Sequence, residues 1–314
     1  MAITAPTVTS DFSGFLTPEM SEPIFEDAAR QSVVMSLVPR VPLGINGQKI
    51  PIVTSKPTAS WTAEAAAKHK TKGELGLLEI TPHKLTAIAV MSAEVVRANP
   101  GNYTGLLRSH LAEAFAVAFD YAALYGLGGD GTGSGPFDHH VAETTKSVTL
   151  GTTAQADGGL HGDIVAGLKL LVDDGKRLSG FAFDDRAEPL FLGAVDANGR
   201  PIYVDTPLED TAAAARPGRL IGRPSFMSEG VAHEDAEVGT YLGFGGDWRK
   251  AAWGAVGGIS FRVSTEATVT INGQLTSLWE HNLVAVLAEA EYGFVMADTE
   301  AFVAYLTDVP GGGE

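Results

Sequence analysis

The chain has 314 residues, 45% of them hydrophobic and 19% charged, enough for one large domain or two ordinary ones and too apolar for disorder throughout. It carries 38 acidic residues against 22 basic ones, for a formal net charge of −16, and no cysteine. No basic stripe runs along the sequence, which argues against a protein that grips a nucleic-acid backbone; the missing cysteines exclude disulfides, cysteine nucleophiles and thiolate zinc sites.

The opening, MAITAPTVTSDFSG, lacks the basic start and apolar run of a secretory signal, and no window approaches about 18 apolar residues in succession. A soluble protein without a targeting segment or membrane span is expected. Residues 1–16 show no periodicity and read as an extended arm. A helix is expected from Thr17, which caps it, with Pro18 in its first turn and Glu19 and Glu22 at the positive end of its dipole. The apolar run VVMSLVPRVPL, 33–43, is interrupted by Pro39 and Pro42 and is expected to be extended.

Residues 46–90 read as a long two-stranded excursion. Its flanks, KIPIV and LTAIAVMS, suit strands, and its middle, KHKTKGE, sets Lys68, Lys70 and Lys72 at every second position, on one face of an extended chain. A hairpin this long and this poor in aromatics is marginal alone and is expected to rest on another molecule. The clearest helix follows. Tyr103, Leu106, Leu107, Leu111, Ala114, Phe115, Ala118, Phe119, Ala122 and Tyr125 keep a 3.6-residue rhythm, and Gly126 is placed to end it.

Past the glycine-rich stretch YGLGGDGTGSGPF, 125–137, a helix is expected at 160–174, a strand at SGFAFDD and a short helix from Arg186 to Val195. A turn is expected at DANGRPIY, then strand-like runs at RLIGRPSFMS and TYLGFGGDWRKAAWGAV. From 261 to 306 the texture is extended, with a turn at Asn272–Gly273, and VPGGGE is a loose end.

Several phrases, in this order, resemble the major capsid proteins of tailed bacteriophages, the Hong Kong 97-type fold. FLTPEMSEPIFEDAARQSVVMSL resembles that family's arm and first helix. IPIVTSKPTASWTAEAAAKHKTKGELGLLEITPHKLTAIAVMSAEVV resembles its extended loop, with Trp61 and Glu64 before a lysine-containing tip. LLRSHLAEAFAVAFDYAALYGLGGDGTGSGPF resembles its spine helix and glycine-proline ending, FDDRAEPLFLGAVDANGRPIY its axial domain, and YLGFGGDWRKAAWG and AEYGFVMADTEAFVAYL later strands. The similarity spans about Phe15 to Leu306.

The resemblance implies an α+β fold in four parts: an arm at 1–45, an extended loop at 46–90, a peripheral domain at 91–157 plus 261–314 with a spine helix at about 101–126, and an axial domain at 158–260. It implies a major capsid protein, not an enzyme, that self-assembles through hexamers and pentamers into an icosahedral virion shell around double-stranded DNA, without sequence-specific binding and without a cofactor. Assembly is expected in the host cytoplasm, with a separate scaffolding protein, portal, protease or decoration protein as partners. Trp61, Glu64, Lys68, Lys70 and Lys72 become candidate intersubunit contacts. Some members link a loop lysine to a neighbour's asparagine with a glutamate assisting. Lys68, Lys70, Lys72, Asn282 and Glu289 lie in the corresponding segments, and salt bridges across subunits are the alternative for the lysines. An encapsulin-type nanocompartment shell shares the fold and is the first alternative.

The alternative of another class is a soluble α/β nucleotide-using enzyme, because Gly126, Gly128 and Gly131 satisfy G-x-G-x-x-G. A dinucleotide fingerprint needs a strand before the glycines and a helix after them; here a helix precedes and Pro136 follows. Asp138, His139 and His140 do not make the three or four ligands at fixed spacing that a closed metal site needs, because adjacent histidines on an extended chain point to opposite faces, so no metal is expected. No G-x-S-x-G or other nucleophile–base pattern occurs.

Overall fold

The computed structural model describes residues 32–64, 67–99, 102–194, 203–205, 216–228, 230–235 and 238–307. The arm through Gln31, with most of the helix expected from Thr17, lies outside the described residues, as do Val195 at the end of the expected short helix, 196–202 of the expected DANGRPIY turn and the tail from 308.

In chain order, α1 (Val33–Leu37) leads to β1 (Gln48–Ser55), β2 (Glu74–Ile80) and β3 (His83–Ser92). Then come α2 (Ala93–Ala98), α3 (Tyr103–Tyr125), β4 (Ser147–Thr149), α4 (Gly159–Asp173), β5 (Gly180–Phe183) and α5 (Glu188–Gly193). Short strands β6 (Tyr203–Asp205), β7 (Arg216–Leu220), β8 (Arg223–Met227) and β9 (His233–Asp235) precede β10 (Gly239–Gly246), β11 (Ala251–Ala255) and β12 (Ser260–Ser264). The chain closes with β13 (Thr268–Ile271), β14 (Gln274–Ser277), β15 (Leu283–Met296) and β16 (Phe302–Thr307).

Two expectations are corrected. The run from Val33 begins as a helix rather than an extended segment. Ser32 caps it by accepting from Met35 N–H, and the chain turns extended at Val38, before Pro39. The cause is tertiary: Val33 and Val34 are fully buried, and Asp120 of α3 accepts both of their N–H groups. The second correction concerns the hairpin. Its return strand is β2, paired with β1 from Gln48↔Ile80 to Ser55↔Glu74. The LTAIAVMS run lies in β3, which pairs along its whole length with β15, from His83↔Tyr292 to Ser92↔Leu283.

The 14-residue β15 organises one sheet, with β3 on one edge and β11 and β12 antiparallel on the other. Against it packs α3, about 35 Å long at 1.5 Å per residue. Phe119 sits at their junction, with its ring edge-on to Phe137, Trp253, Tyr292 and Phe294 at centroid distances of 5.6–6.2 Å. The second sheet runs β4-β16-β10-β5-β8-β7-β6, with β9 beside β10. Here α4 covers Phe181, Phe183 and Tyr305; a side chain at Gly167 would collide with the Tyr305 hydroxyl, so glycine lets helix and sheet approach. Buried Asp163 on α4 accepts from Gly151 N–H at 2.7 Å and Thr153 N–H at 3.2 Å, folding the connection before the helix. The Asn272–Gly273 turn joins β13 to β14 with φ of 51° and 77°, as the sequence predicts.

Gly126 ends α3 as expected. It has φ 65° and donates to Ala122 C=O. A Cβ there would lie 2.5 Å from His140 Nδ1. Gly126→Ala is therefore expected to destabilise the fold by about 1–3 kcal/mol, from left-handed strain plus displacement of His140. A urea titration checks this; an unchanged midpoint would show that the exit loop is slack.

Candidate assembly surfaces

The β1–β2 hairpin has two unlike faces, because paired residues of an antiparallel ladder share a side. Ile50, Ile52, Leu78 and Ile80 lie on the partly covered side, with Ile80 fully buried. Val53 with Leu75, and Pro51 with Leu77, form the other side. It is bare: Val53 is 61% exposed, Leu75 76% and Leu77 70%. Lys49 and Glu79, 3.7 Å apart, close this stripe at the base. A row of aliphatic side chains facing water has a reason to be there only if something covers it.

Beyond the strands, the tip from Lys56 to Gly73 is held lightly. Thr58 N–H donates to Thr71 Oγ1 at 2.8 Å, and Thr58 Oγ1 contacts His69 Nε2 at 3.4 Å. Trp61 is fully exposed and Glu64 is exposed beside it. Lys68 and Lys70 are exposed with no ion-pair partner among the described residues, whereas Lys72 reaches Glu74 Oε1 at 3.2 Å. The five residues singled out by sequence thus share one projecting tip. The bare Val53–Leu75–Leu77 face was missed, although the alternation in ELGLLEI carries its signal.

Asn282 and Glu289 are engaged inside their own chain. The Asn282 side-chain amide donates to the Glu94 carboxylate, and Glu289 lies 3.5 Å from Lys84 and 3.7 Å from Arg262.

The glycine-rich stretch is not a phosphate cradle. Three of its amides are spent on its own carbonyls: Gly128 N–H on Thr132 C=O at 3.1 Å, Gly131 N–H on Gly128 C=O at 2.9 Å and Gly135 N–H on Gly126 C=O at 2.6 Å. Asp130, held ionised by the Thr132 hydroxyl and N–H, would also repel an anion. His139 and His140 both turn Nδ1 to Glu143, at 2.9 and 3.1 Å, and among the described residues no three such side chains are placed to hold a metal ion.

The root of the arm is fixed by a residue that sequence reading passed over. Asp120 lies buried in an otherwise apolar stretch of α3. One oxygen accepts from Ser32 Oγ at 2.5 Å and Val34 N–H at 3.3 Å, the other from Val33 N–H at 3.0 Å. Burial pushes its carboxyl up to about 7, against the three hydrogen bonds that pull it down. An acid within an apolar helical stretch was the available signal.

The phage capsid family matches residues 13–306 of this chain. The chain belongs to that family. It is 41% identical over 314 residues to the probable major capsid protein gp17 of Mycobacterium phage D29, covering 99% of this chain and 95% of that one. It is 42% identical over 308 residues to the protein of the same description in Mycobacterium phage L5, covering 95% and 91%. Among solved structures, a chain of Gordonia phage Cozz superposes with a TM-score of 0.72 at 24% identity, over 96% of this chain and 94% of that one. The capsid of an empty GTA particle superposes with a TM-score of 0.65 at 16% identity, over 96% and 98%. At such identities these structures speak for the fold, which is the α+β Hong Kong 97-type capsid fold.

Proposed function

We propose that this chain is a major capsid protein that tiles, through hexamers and pentamers, an icosahedral shell around double-stranded phage DNA. Within the family, the observation that carries this reading is the bare aliphatic face of the β1–β2 hairpin, ending in a fully exposed Trp61. A monomer gains nothing from this projection, whereas a neighbour's surface would bury it. Interfaces of permanent assemblies are large and more apolar than ordinary surface. Lys68 and Lys70 then meet carboxylates of the next subunit, each pair weak alone and repeated over the whole shell.

The four parts keep the roles that the family resemblance implies: arm 1–45, loop 46–90 less its β3 run from His83, which pairs with β15, peripheral domain 91–157 with 261–314, and axial domain 158–260. The shell forms in the host cytoplasm, with a scaffolding protein, portal, protease or decoration protein as partners. The net charge of −16 suits a wall that must let its DNA go.

Expression of the chain, alone and with a scaffolding protein, followed by negative-stain imaging checks the proposal. Regular shells of uniform diameter are expected. A discrete monomer or dimer at high concentration under both conditions would remove it.

A further inference from the structure

The fold gathers cations that are scattered in the sequence. Lys176 and Arg177 follow α4, Arg249 and Lys250 follow β10, Arg223 opens β8 and Lys56 follows β1. They line two cavities of about 520 and 530 Å³ that share Lys176, Arg177 and Arg249 and so make one groove. Three carboxylates stand in its lining, and each already has a cation. Asp298 pairs with Lys176, Asp247 takes two Arg249 nitrogens at 2.8 and 3.1 Å, and Asp174 lies 3.1 Å from Lys146. Lys56, Arg177, Arg223 and Lys250 are exposed and have no ion-pair partner among the described residues.

Cations suit the C-terminal pole of a helix, which accounts for Lys176 and Arg177 just beyond α4. It does not account for Arg223, Lys250 or Lys56, which come from three other parts of the chain. On a chain of net charge −16, four uncompensated cations in one groove ask for an anion. A groove of this length, charged from end to end, suits a polymer better than a single small anion. In the first cavity the lining is charged apart from Gly175 and Ala301, so the carbon of a peptide side chain would find nothing there to bury against. A phosphodiester backbone carries its charge outermost and needs no such surface. In the second cavity Leu168 and Val172 form one wall, and they offer carbon to the deoxyribose between phosphates.

We propose that this groove, between the end of α4 and the starts of β8 and β11, binds the phosphodiester backbone of double-stranded DNA, and so marks the face of the subunit that looks into the shell. The inward direction rests on the shell reading; the phosphate site itself does not. The contact reads no sequence, because it engages phosphates alone. The acidic remainder of the chain keeps it weak and salt-labile, so one local hold on the DNA is compatible with a wall that must release it.

The test titrates a short fluorescein-labelled DNA duplex with the full-length chain and reads fluorescence anisotropy. It needs no closed shell, so failure of the shell reading would not mask it. Weak binding is expected, equal for duplexes of unrelated sequence. Four phosphate contacts give a slope of log affinity against log salt of about −3 to −4, a loss of roughly a hundredfold between about 50 and 200 mM. Arg177→Gln with Arg223→Gln should reduce the size of that slope by about two, and Arg177→Glu with Arg223→Glu should weaken binding by about tenfold or more at the lower salt. If the charge-reversed chain fails to fold, the neutral pair carries the test. Lys84→Glu with Arg97→Glu makes the same change in net charge away from the groove and should cost far less. Equal losses in the two charge-reversed chains would overturn the proposal, since overall charge would then be the cause. So would the absence of duplex binding by the wild type at low salt. Displacement of the duplex by inorganic phosphate at constant ionic strength would also overturn it and leave a small-anion site. Groove variants that bind the duplex as the wild type does but no longer assemble would overturn it as well, and would give the groove to an acidic protein surface.

Discussion

Replacing Asp120 with alanine is expected to lower the unfolding free energy by about 3 kcal/mol, among the largest single-residue effects in this chain. The carboxylate accepts three hydrogen bonds, and its removal leaves the Val33 and Val34 N–H groups at the start of α1 buried without acceptors. Each such orphan costs about 1–3 kcal/mol. Asp120→Asn keeps the shape but turns an NH₂ toward a donor, so it should cost less than alanine and more than nothing.

The same residue sets a pH dependence. Its folded-state pKa of about 7 lies above the ordinary 3.8 because burial disfavours the charge. Between those values the native chain holds a proton that the unfolded chain has lost. This contribution to stability is therefore fully present below about pH 4 and is lost as pH rises through 7. Urea midpoints of wild type and Asp120→Asn at pH 5 and pH 8 isolate it. The wild type should exceed the variant by more at pH 5 than at pH 8; a difference that is constant, or larger at pH 8, would place the carboxylate among groups stabilised as anions.

How much of this was legible follows from how local each signal is. The spine helix declares itself because ten apolar positions keep one rhythm and Gly126 stops it, all within 24 residues. The Asn272–Gly273 hairpin is equally local. By contrast, alternation in LTAIAVMS announces a strand without naming its partner, and β15 lies some 200 residues downstream, so the run was assigned to the wrong ladder. Helix α1 was misread for the same reason: five residues cannot nucleate a helix alone, and the group that holds their first turn comes from residue 120. The sequence likewise shows no basic stripe, and none exists in linear order. Only folding brings positions 176, 177, 223 and 249 to one groove. The candidate contacts Trp61, Glu64, Lys68 and Lys70 were found through family resemblance and an exposed, charged tip, whereas the aliphatic face behind them needed the β1–β2 register to be seen as one surface.

That face supports the sharpest separation of folding from assembly. Leu75→Asp with Leu77→Asp is expected to leave the melting temperature of the isolated subunit within about a degree or two, and to abolish shell formation. In the free chain both side chains stand in water, so exchanging them for carboxylates removes little packing, and surface changes of this kind stay within about ±0.5 kcal/mol. In a shell the balance reverses. Each covered leucine contributes roughly 1.5–3 kcal/mol, and each aspartate forced under a neighbour must lose its hydration without a partner. The penalty recurs at every copy, so a modest loss per contact removes the closed particle. Thermal unfolding of the subunit and particle counts from micrographs measure the two sides independently. If the double variant still closes shells at wild-type yield, the hairpin face is not the intersubunit surface. If the subunit itself unfolds, Leu75 and Leu77 hold the hairpin to its own body. Only a folded subunit that fails to assemble places the neighbour on this face.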